Sequence, residues 1–528
     1  MKKNSSVYSL IIGFWTICNC LIIASVATSS VMLFIRQSDL KLYNKILIII
    51  VLWINSIILS YFWLNSIKDF VYSLIFIIRK KSILKKYDPI VKSVLTEEFK
   101  NKKVVFLYCT CDDFDPNALK KSMFQDHINY EIVMLDDSTK LEYISKIDEF
   151  SKKHNIKVIR RKNREGFKAG NLNNYLKNND YDYFVVLDSD EILPNNFISE
   201  SLKYFQYDQN IGVVQAVHLA AKPNNFYQYL LGLSIDSNSL VTQVMKNFYG
   251  SNSLLGHGMM ISKECYKKTN GFPHIVAEDI AFAIEVKDAG YKIAYAFNIF
   301  CKEEFPNDYI SLKKRQCKWT QGNVEYMKKY SKNIKKSSYK WYEKLDIKLS
   351  HYSLPIIPML SLILIINTSL LGFLEYRIDP YRIALLSMSL LFLISPVIPN
   401  FFVYAKSKKI FFVIPFFIAS IINYTSLTPM MIRTVILGFF NKKAVFLVTP
   451  KDKNKIPLRY VILHSIEPLI FSFCISLLIY FSWGTVVPTL IITVPLALTP
   501  FIIVLSNFKM NDKEEKLSKT KRSFWLWK

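Results

Sequence analysis

A chain of 528 residues, 51% of them hydrophobic and with its apolar runs concentrated at both ends, is too long and too segregated for one ordinary globular domain. Its formal charge of +26 would suit nucleic acid, but the lysines and arginines cluster beside the apolar runs, where anionic headgroups lie, and no RNA-recognition, zinc-finger or helix-turn-helix signature is present. The eight cysteines are scattered and Cys109-Thr110-Cys111 has no second close pair, so free thiols in a reducing compartment fit better than a zinc knot or a disulfide framework.

Two apolar stretches come first, about Tyr8 to Phe34 and Lys45 to Ser66, each near or above the roughly 20 residues a helix needs to cross a bilayer. The first is longer than a signal-peptide core and lacks a small-residue cleavage pattern after it. Phe70 to Ile78 then runs into Arg79-Lys80-Lys81, which by the positive-inside tendency keeps the following domain in the cytoplasm.

From about Ile83 to Tyr339 the chain is charged, with short apolar runs separated by helix-like segments, the pattern of an α/β domain. Strands are predicted at Val104 to Cys109, Glu131 to Leu135, Lys157 to Arg160, Tyr183 to Leu187, Val213 to Val217 and Ile293 to Phe297, in a mixed but mostly parallel sheet. Phe226 to Lys246 reads as a helix under the cleft. Further apolar segments follow near Leu354 to Leu374, Ile383 to Tyr404, Ile410 to Phe440, Val461 to Trp483 and Val486 to Leu505. Lysines flank Ile410 to Phe440 on both sides, Lys406, Lys408 and Lys409 before it and Lys442 and Lys443 after it. That predicts a re-entrant or interfacial segment, interrupted near Asn423 to Pro429. The expected organisation is two membrane helices (1–82), a cytoplasmic domain (83–339), about four membrane helices with the re-entrant segment and a loop at 441–459 (340–507), and a basic tail (508–528). No internal repeat is visible, which weakens a transporter reading.

Acidic turns recur where predicted strands end, the place where side chains of a parallel sheet converge on a cleft. Asp136-Asp137-Ser138 follows one strand and Asp188-Ser189-Asp190 another; a pair of carboxylates so spaced can share a hard cation with a diphosphate. Capped turns explain such residues equally well one at a time, and Asp113-Phe114-Asp115 is a second Asp-x-Asp. Order and company narrow the choice. Between the two turns lies Arg164-Glu165-Gly166-Phe167-Lys168-Ala169-Gly170-Asn171-Leu172-Asn173, a glycine-containing entry to a helix with a lysine suited to phosphate. Beyond them lie Ala277-Glu278-Asp279 and Arg315-Gln316-Cys317-Lys318-Trp319.

In this order the motifs resemble those of the processive family-2 glycosyltransferases, the group that includes cellulose, hyaluronan and bacterial β-glucan synthases. Phe446-Leu447-Val448-Thr449-Pro450-Lys451 is similar to the gating loop of cellulose synthases, so Phe446, Val448, Thr449 and Lys451 are its counterparts here. The resemblance implies a GT-A-type α/β domain inserted between membrane helices in the plasma membrane, a UDP-sugar donor, a growing polysaccharide acceptor, and Mg²⁺ or Mn²⁺ as cofactor. It leaves open a homo-oligomer or accessory secretion proteins. By position it implies that Asp136 and Asp137 hold the uridine end, Lys168 the phosphates, and Asp188 and Asp190 the diphosphate and metal. Asp279 is then the general base with Glu278 beside it, Trp319 stacks on the acceptor, and Arg315, Gln316 and Lys318 face diphosphate or acceptor. Arg315, Lys318 and Ala277 depart from the family's Gln, Arg and Thr, while Thr320-Gln321-Gly322-Asn323 and Gly256-His257-Gly258 are closer to the bacterial glucan glucosyltransferases. That branch favours UDP-glucose and a β-glucan. The rival enzyme is a transferase adding one sugar to a lipid or polyprenyl phosphate. His257 stands beside an apolar run, where a structural histidine and one facing substrate fit equally well, and His218, which by family position could line the acceptor cleft, reads better as a satisfied surface histidine.

Overall fold

A computed structural model of the protein describes residues 4–377, 388–390, 393–405, 407–440 and 455–509. Two helices open it, α1 (Ser6–Arg36) and α2 (Leu42–Lys85). The second runs unbroken through the predicted span and the Phe70 to Ile78 run, so the basic triplet is its last turns. Side chains such as Ile57 and Ile78 point outward at 69% and 71% exposure, an arrangement costly in water and neutral in lipid.

The central domain is built on seven strands: β1 (Val104–Thr110), β2 (Tyr130–Asp136), β3 (Lys157–Arg160), β4 (Tyr183–Asp188), β5 (Ile211–Ala220), β6 (Met259–Ser262) and β7 (Lys292–Glu303). Their order is β3-β2-β1-β4-β6-β5-β7. The pairs among β1 to β4 are parallel, β6 runs antiparallel to β4 and β5, and β7 is parallel to β5. This is the mixed, mostly parallel GT-A-type sheet expected from the motifs. Six strands fall where they were predicted. The unpredicted one, β6, has four residues, too few to show a period of its own. Because helices cover both faces, β1 and β4 are apolar at nearly every position instead of alternating. Phe106 and Tyr108 enter one core layer with Tyr72 and Phe76 of α2, whereas Val105 and Leu107 enter the other with Leu172 and Phe282. The first membrane helices thus share a core with the sheet.

Four helices position the cleft: α3 (Phe167–Leu176), α4 (Phe226–Ser237), α5 (Glu278–Asp288) and α6 (Tyr309–Lys336). The expected helix at Phe226 to Lys246 is present, continuing from α4 through a wider turn at Asn238–Thr242 into Gln243–Tyr249. The C-terminal region adds α7 (Ser353–Phe373), α8 (Val413–Phe439) and α9 (Leu458–Trp483). Among the described residues six helical stretches are long and apolar enough to cross a bilayer: Ser6–Arg36, Leu42–Val91, Trp341–Phe373, Lys409–Phe439, Leu458–Trp483 and Val487–Asn507.

One expectation needs correction. The interruption predicted near Asn423 to Pro429 is absent, because α8 continues straight through Pro429. Just before the proline, Thr428 Oγ1 donates to the Tyr424 carbonyl at 3.2 Å and Ser426 Oγ to the Asn423 carbonyl at 2.8 Å, so these hydroxyls find partners within the helix and not in apolar surroundings. By contrast, the apolar helix within the predicted Ile383 to Tyr404 segment, Met388–Tyr404, is shorter than the six. Phe446, Val448, Thr449 and Lys451 lie outside the described residues, as does the tail beyond residue 509.

Candidate active site

Register brings the first acidic residues to one edge. Thr110 pairs with Asp136 and Cys109 with Asp188, so β1, β2 and β4 end together. Asp136 is enclosed: one oxygen accepts from the Ser138 backbone N–H (2.8 Å) and the other from Arg160 Nε (2.6 Å). Asp137 is gripped by Arg161 through two parallel bonds, Nε to Oδ1 at 3.0 Å and Nη2 to Oδ2 at 2.7 Å, a geometry only a guanidinium offers. Arg164 donates to the Ser138 carbonyl at 2.7 Å. The sequence reading singled out neither Arg160 nor Arg161; adjacent basic residues ending a predicted strand were the available signal.

The other Asp-x-Asp pair resolves into structural roles. Asp113 accepts from Ser189 Oγ at 2.6 Å and so braces the turn that holds Asp188 and Asp190, while Asp115 caps the helix at Pro116–Ser122 through Asn117 N–H.

Lys168 lies in the first turn of α3, which Gly166 enters at φ 72°; a side chain there would collide with the His274 ring. The ammonium donates to Asp188 Oδ1 and to the Gly256 carbonyl at 2.9 Å. Burial opposes its charge, but Asp188, Cys109 and Glu278 together raise Lys168 above its ordinary value. Against the same burial, Lys168 and His257 hold Asp188 well below the usual carboxylate range. Asp190 follows two residues on, half-buried in the same turn.

Glu278 and Asp279 open α5, where the first-turn N–H groups favour carboxylates. Asp279 Oδ1 accepts from Ile280 N–H at 2.8 Å, and a methyl group built on Gly256 would lie 3.4 Å from Asp279 Oδ2. Since the Gly256 carbonyl also receives Lys168, this one glycine joins the β4 end to the α5 start. Burial raises both acids; beside Asp279, Glu278 is pushed up to about 7, with Lys168 and Lys318 partly offsetting the rise. For Lys318 burial lowers the ammonium while Glu278, Asp188 and Asp279 oppose it. Lys318 is therefore electrostatically part of this cluster. Both acids thus ionise at a higher pH than a free carboxylate, so a turnover that needs them ionised should fall as pH drops through a raised value, about 7 where Glu278 is the group. A pH–rate profile flat from 5.5 to 8.5, on the order of one and a half units either side of that value, would remove ionised Glu278 from the reaction.

Close packing sets Lys318 and Trp319 near the carboxylates. A Cβ on Gly322 would meet that of Ala277 at 3.3 Å, so α6 rests directly on the turn before Glu278. At its other side Lys328 donates to the carbonyls of Gly438 and Phe439 (2.8 and 3.0 Å), closing the C-terminus of α8. Lys313 and Arg433 both pair with Glu467 of α9, at 2.9 and 3.3 Å. Trp319 is 44% exposed, with the Arg315 guanidinium 4.6 Å from its ring centre. Gln316 is buried beneath, away from open space.

His218 and His257 depart from expectation. His218 is not at the surface but buried, and both rings face the carboxylates Glu191 and Glu303. Those carboxylates hold His257 protonated well above its ordinary value despite burial, and the two rings hold Glu303 well below its own.

The model of the family "Glycosyltransferase like family 2" matches residues 117–322, a stretch that contains Asp136, Asp137, Lys168, Asp188, Asp190, Gly256, Glu278, Asp279, Lys318 and Trp319. The chain carries a family-2-type glycosyltransferase domain. Curated relatives include Glucans biosynthesis glucosyltransferase H of Vibrio cholerae serotype O1, 26% identical over 247 residues, 43% of this chain and 33% of that protein. The protein of the same name from Shewanella sp. (strain ANA-3) is 23% identical over 219 residues, 39% and 30% respectively. The matches thus span about a third of those relatives. Among solved structures, the mannosyltransferase PcManGT from Pyrobaculum calidifontis, in complex with GDP-Man and Mn²⁺, is 16% identical with a TM-score of 0.48, covering 73% of this chain and all of that one.

Proposed function

We propose that this glycosyltransferase is an inverting, processive polysaccharide synthase that takes hexose from a UDP-hexose, UDP-glucose first, to extend a β-glucan and pass it across the membrane. The observation that carries the reading is the meeting of Asp188, Lys168, Glu278, Asp279 and Lys318 around Gly256, from four separate stretches of chain. In this reading 83–339 is the cytoplasmic catalytic unit, and 1–82 and 340–507 are its membrane parts.

The donor set suits a hard divalent cation: Asp188, Asp190, Glu278 and Asp279 offer carboxylate oxygens, with Lys168, His257 and Lys318 the cationic groups that face them. Asp188 and Asp190 would hold Mg²⁺ or Mn²⁺, which when bound neutralises the leaving diphosphate. Asp279 takes the proton of the acceptor hydroxyl as that oxygen attacks the anomeric carbon. The bond to the diphosphate breaks on the opposite side, so the configuration inverts. Lys168 and Lys318 face the charge that develops there. Asp137 and the Arg164-braced turn seat the uridine end, with Asp136 holding the turn from within.

Trp319 offers the acceptor a flat apolar face. Trp319→Ala should shorten the product, read by gel filtration of the polymer; an unaltered length distribution would remove the indole from the acceptor path. The whole reading is tested by giving the purified full chain a panel of nucleotide sugars with Mg²⁺ and digesting the product with linkage-specific hydrolases. UDP release with long polymer is expected from UDP-glucose, and transfer of one sugar only would exclude processivity.

A further inference from the structure

Behind Asp188, on the side away from Glu278, the four side chains Glu191, His218, His257 and Glu303 form a closed ring. His257 Nδ1 lies 3.1 Å from Glu191 Oε2, and His218 Nε2 lies 3.6 Å from Glu191 Oε1. Their other nitrogens, His218 Nδ1 and His257 Nε2, both face Glu303 Oε2, at 3.1 and 3.2 Å. Glu191 is 0% exposed, yet neither of its oxygens, nor His257 Nδ1, takes part in a hydrogen bond of regular geometry. A carboxylate buried so completely is costly unless a cation meets it.

Protonated imidazoles could supply that charge, but the two rings are 4.5 Å apart, and two imidazolium ions at that distance repel. One divalent cation balances both carboxylates and leaves both rings neutral. The spacing fits such an ion. Donors around a tetrahedral centre with bonds of about 2.1 Å sit roughly 3.4 Å apart. One donor atom from each of Glu191, His218 and His257 can be chosen so that all three lie within 4.8 Å of one another, and each ring nitrogen has its own Glu191 oxygen at 3.1 or 3.6 Å. His218 Nε2 also accepts from the Gln215 amide at 3.2 Å, a contact that a cation would displace; the amide keeps the carbonyls of His257 (2.9 Å) and Gly258 (3.1 Å) as partners. Gly258 keeps the space open, since a Cβ there would collide with both Glu191 and His218. Glu303 completes the pattern as a carboxylate fixing the far nitrogens of both ligand histidines.

We propose that Glu191, His218 and His257 bind a transition-metal cation of the Zn²⁺ class, separate from the hard-cation site assigned to Asp188 and Asp190. Two imidazoles and one carboxylate suit zinc better than magnesium. The ion ties the turn after β4 to β5 and to the loop before β6, and so fixes the floor of the cleft. This inference does not depend on which sugar is transferred.

The test is metal content of the full chain purified in detergent, loaded with Zn²⁺ and dialysed against metal-free buffer. Wild type should retain about one zinc per chain, and His218→Ala/His257→Ala less than about a tenth of that, while Asp190→Asn retains it in full. Equal zinc in wild type and the double variant overturns the site, and loss in Asp190→Asn moves the ion to the other one. A second measurement needs no variant. Co²⁺ added to metal-stripped wild type should give a saturable absorption of tetrahedral intensity that Zn²⁺ displaces; absence of that band also overturns the proposal.

Discussion

Asp279→Asn should lower UDP release from a UDP-hexose by about 10²- to 10⁴-fold, the range expected for loss of a general base, while nucleotide binding measured by calorimetry stays near the wild-type value. The geometry makes this substitution clean. Asp279 Oδ1 already accepts from Ile280 N–H at 2.8 Å, an interaction the asparagine carbonyl preserves. Oδ2 faces Gly256, where the replacement adds no bulk. What disappears is basicity alone. Glu278, pushed up to about 7, stands beside it and is not the group assigned to proton transfer, so Glu278→Gln should cost less. Near-wild-type turnover by Asp279→Asn would remove this residue from proton transfer.

Full chelation of divalent ions should abolish the same release, and returning Mg²⁺ or Mn²⁺ should restore it. Asp188→Asn should fall by at least about 10²-fold and resist rescue, because it also removes the carboxylate charge that faces Lys168. Lys168 would then turn toward Glu278, disturbing the acid pair as well. Full activity in excess chelator would show that the lysines alone carry the leaving diphosphate.

The parts of this molecule legible in its sequence are those whose signal is local. Buried parallel strands are unbroken apolar runs, and the acids that end them follow at once, so Asp136 and Asp188 could be assigned to strand ends from neighbours alone. What escaped is long-range. Glu191, His218, His257 and Glu303 lie far apart in the chain, and the pairing of β6 with β4 and β5, and of β5 with β7, gathers them. His218 seemed a surface residue because the alternation of a strand buried on both faces carries no in–out information. Arg160 and Arg161 end a strand too short and too exposed to advertise partners, although the two acids they hold were plain. The flanking lysines of the 410–440 segment suggested an interrupted, re-entrant path, whereas the helix runs on through Pro429, which charge counting does not see.

The guanidinium lying against Trp319 has a directional consequence. An indole presents two broad surfaces, and Arg315 already occupies one. A pyranose that stacked here without displacing the arginine would meet the ring from its other side alone, so Arg315 would confine the acceptor to one face of the indole.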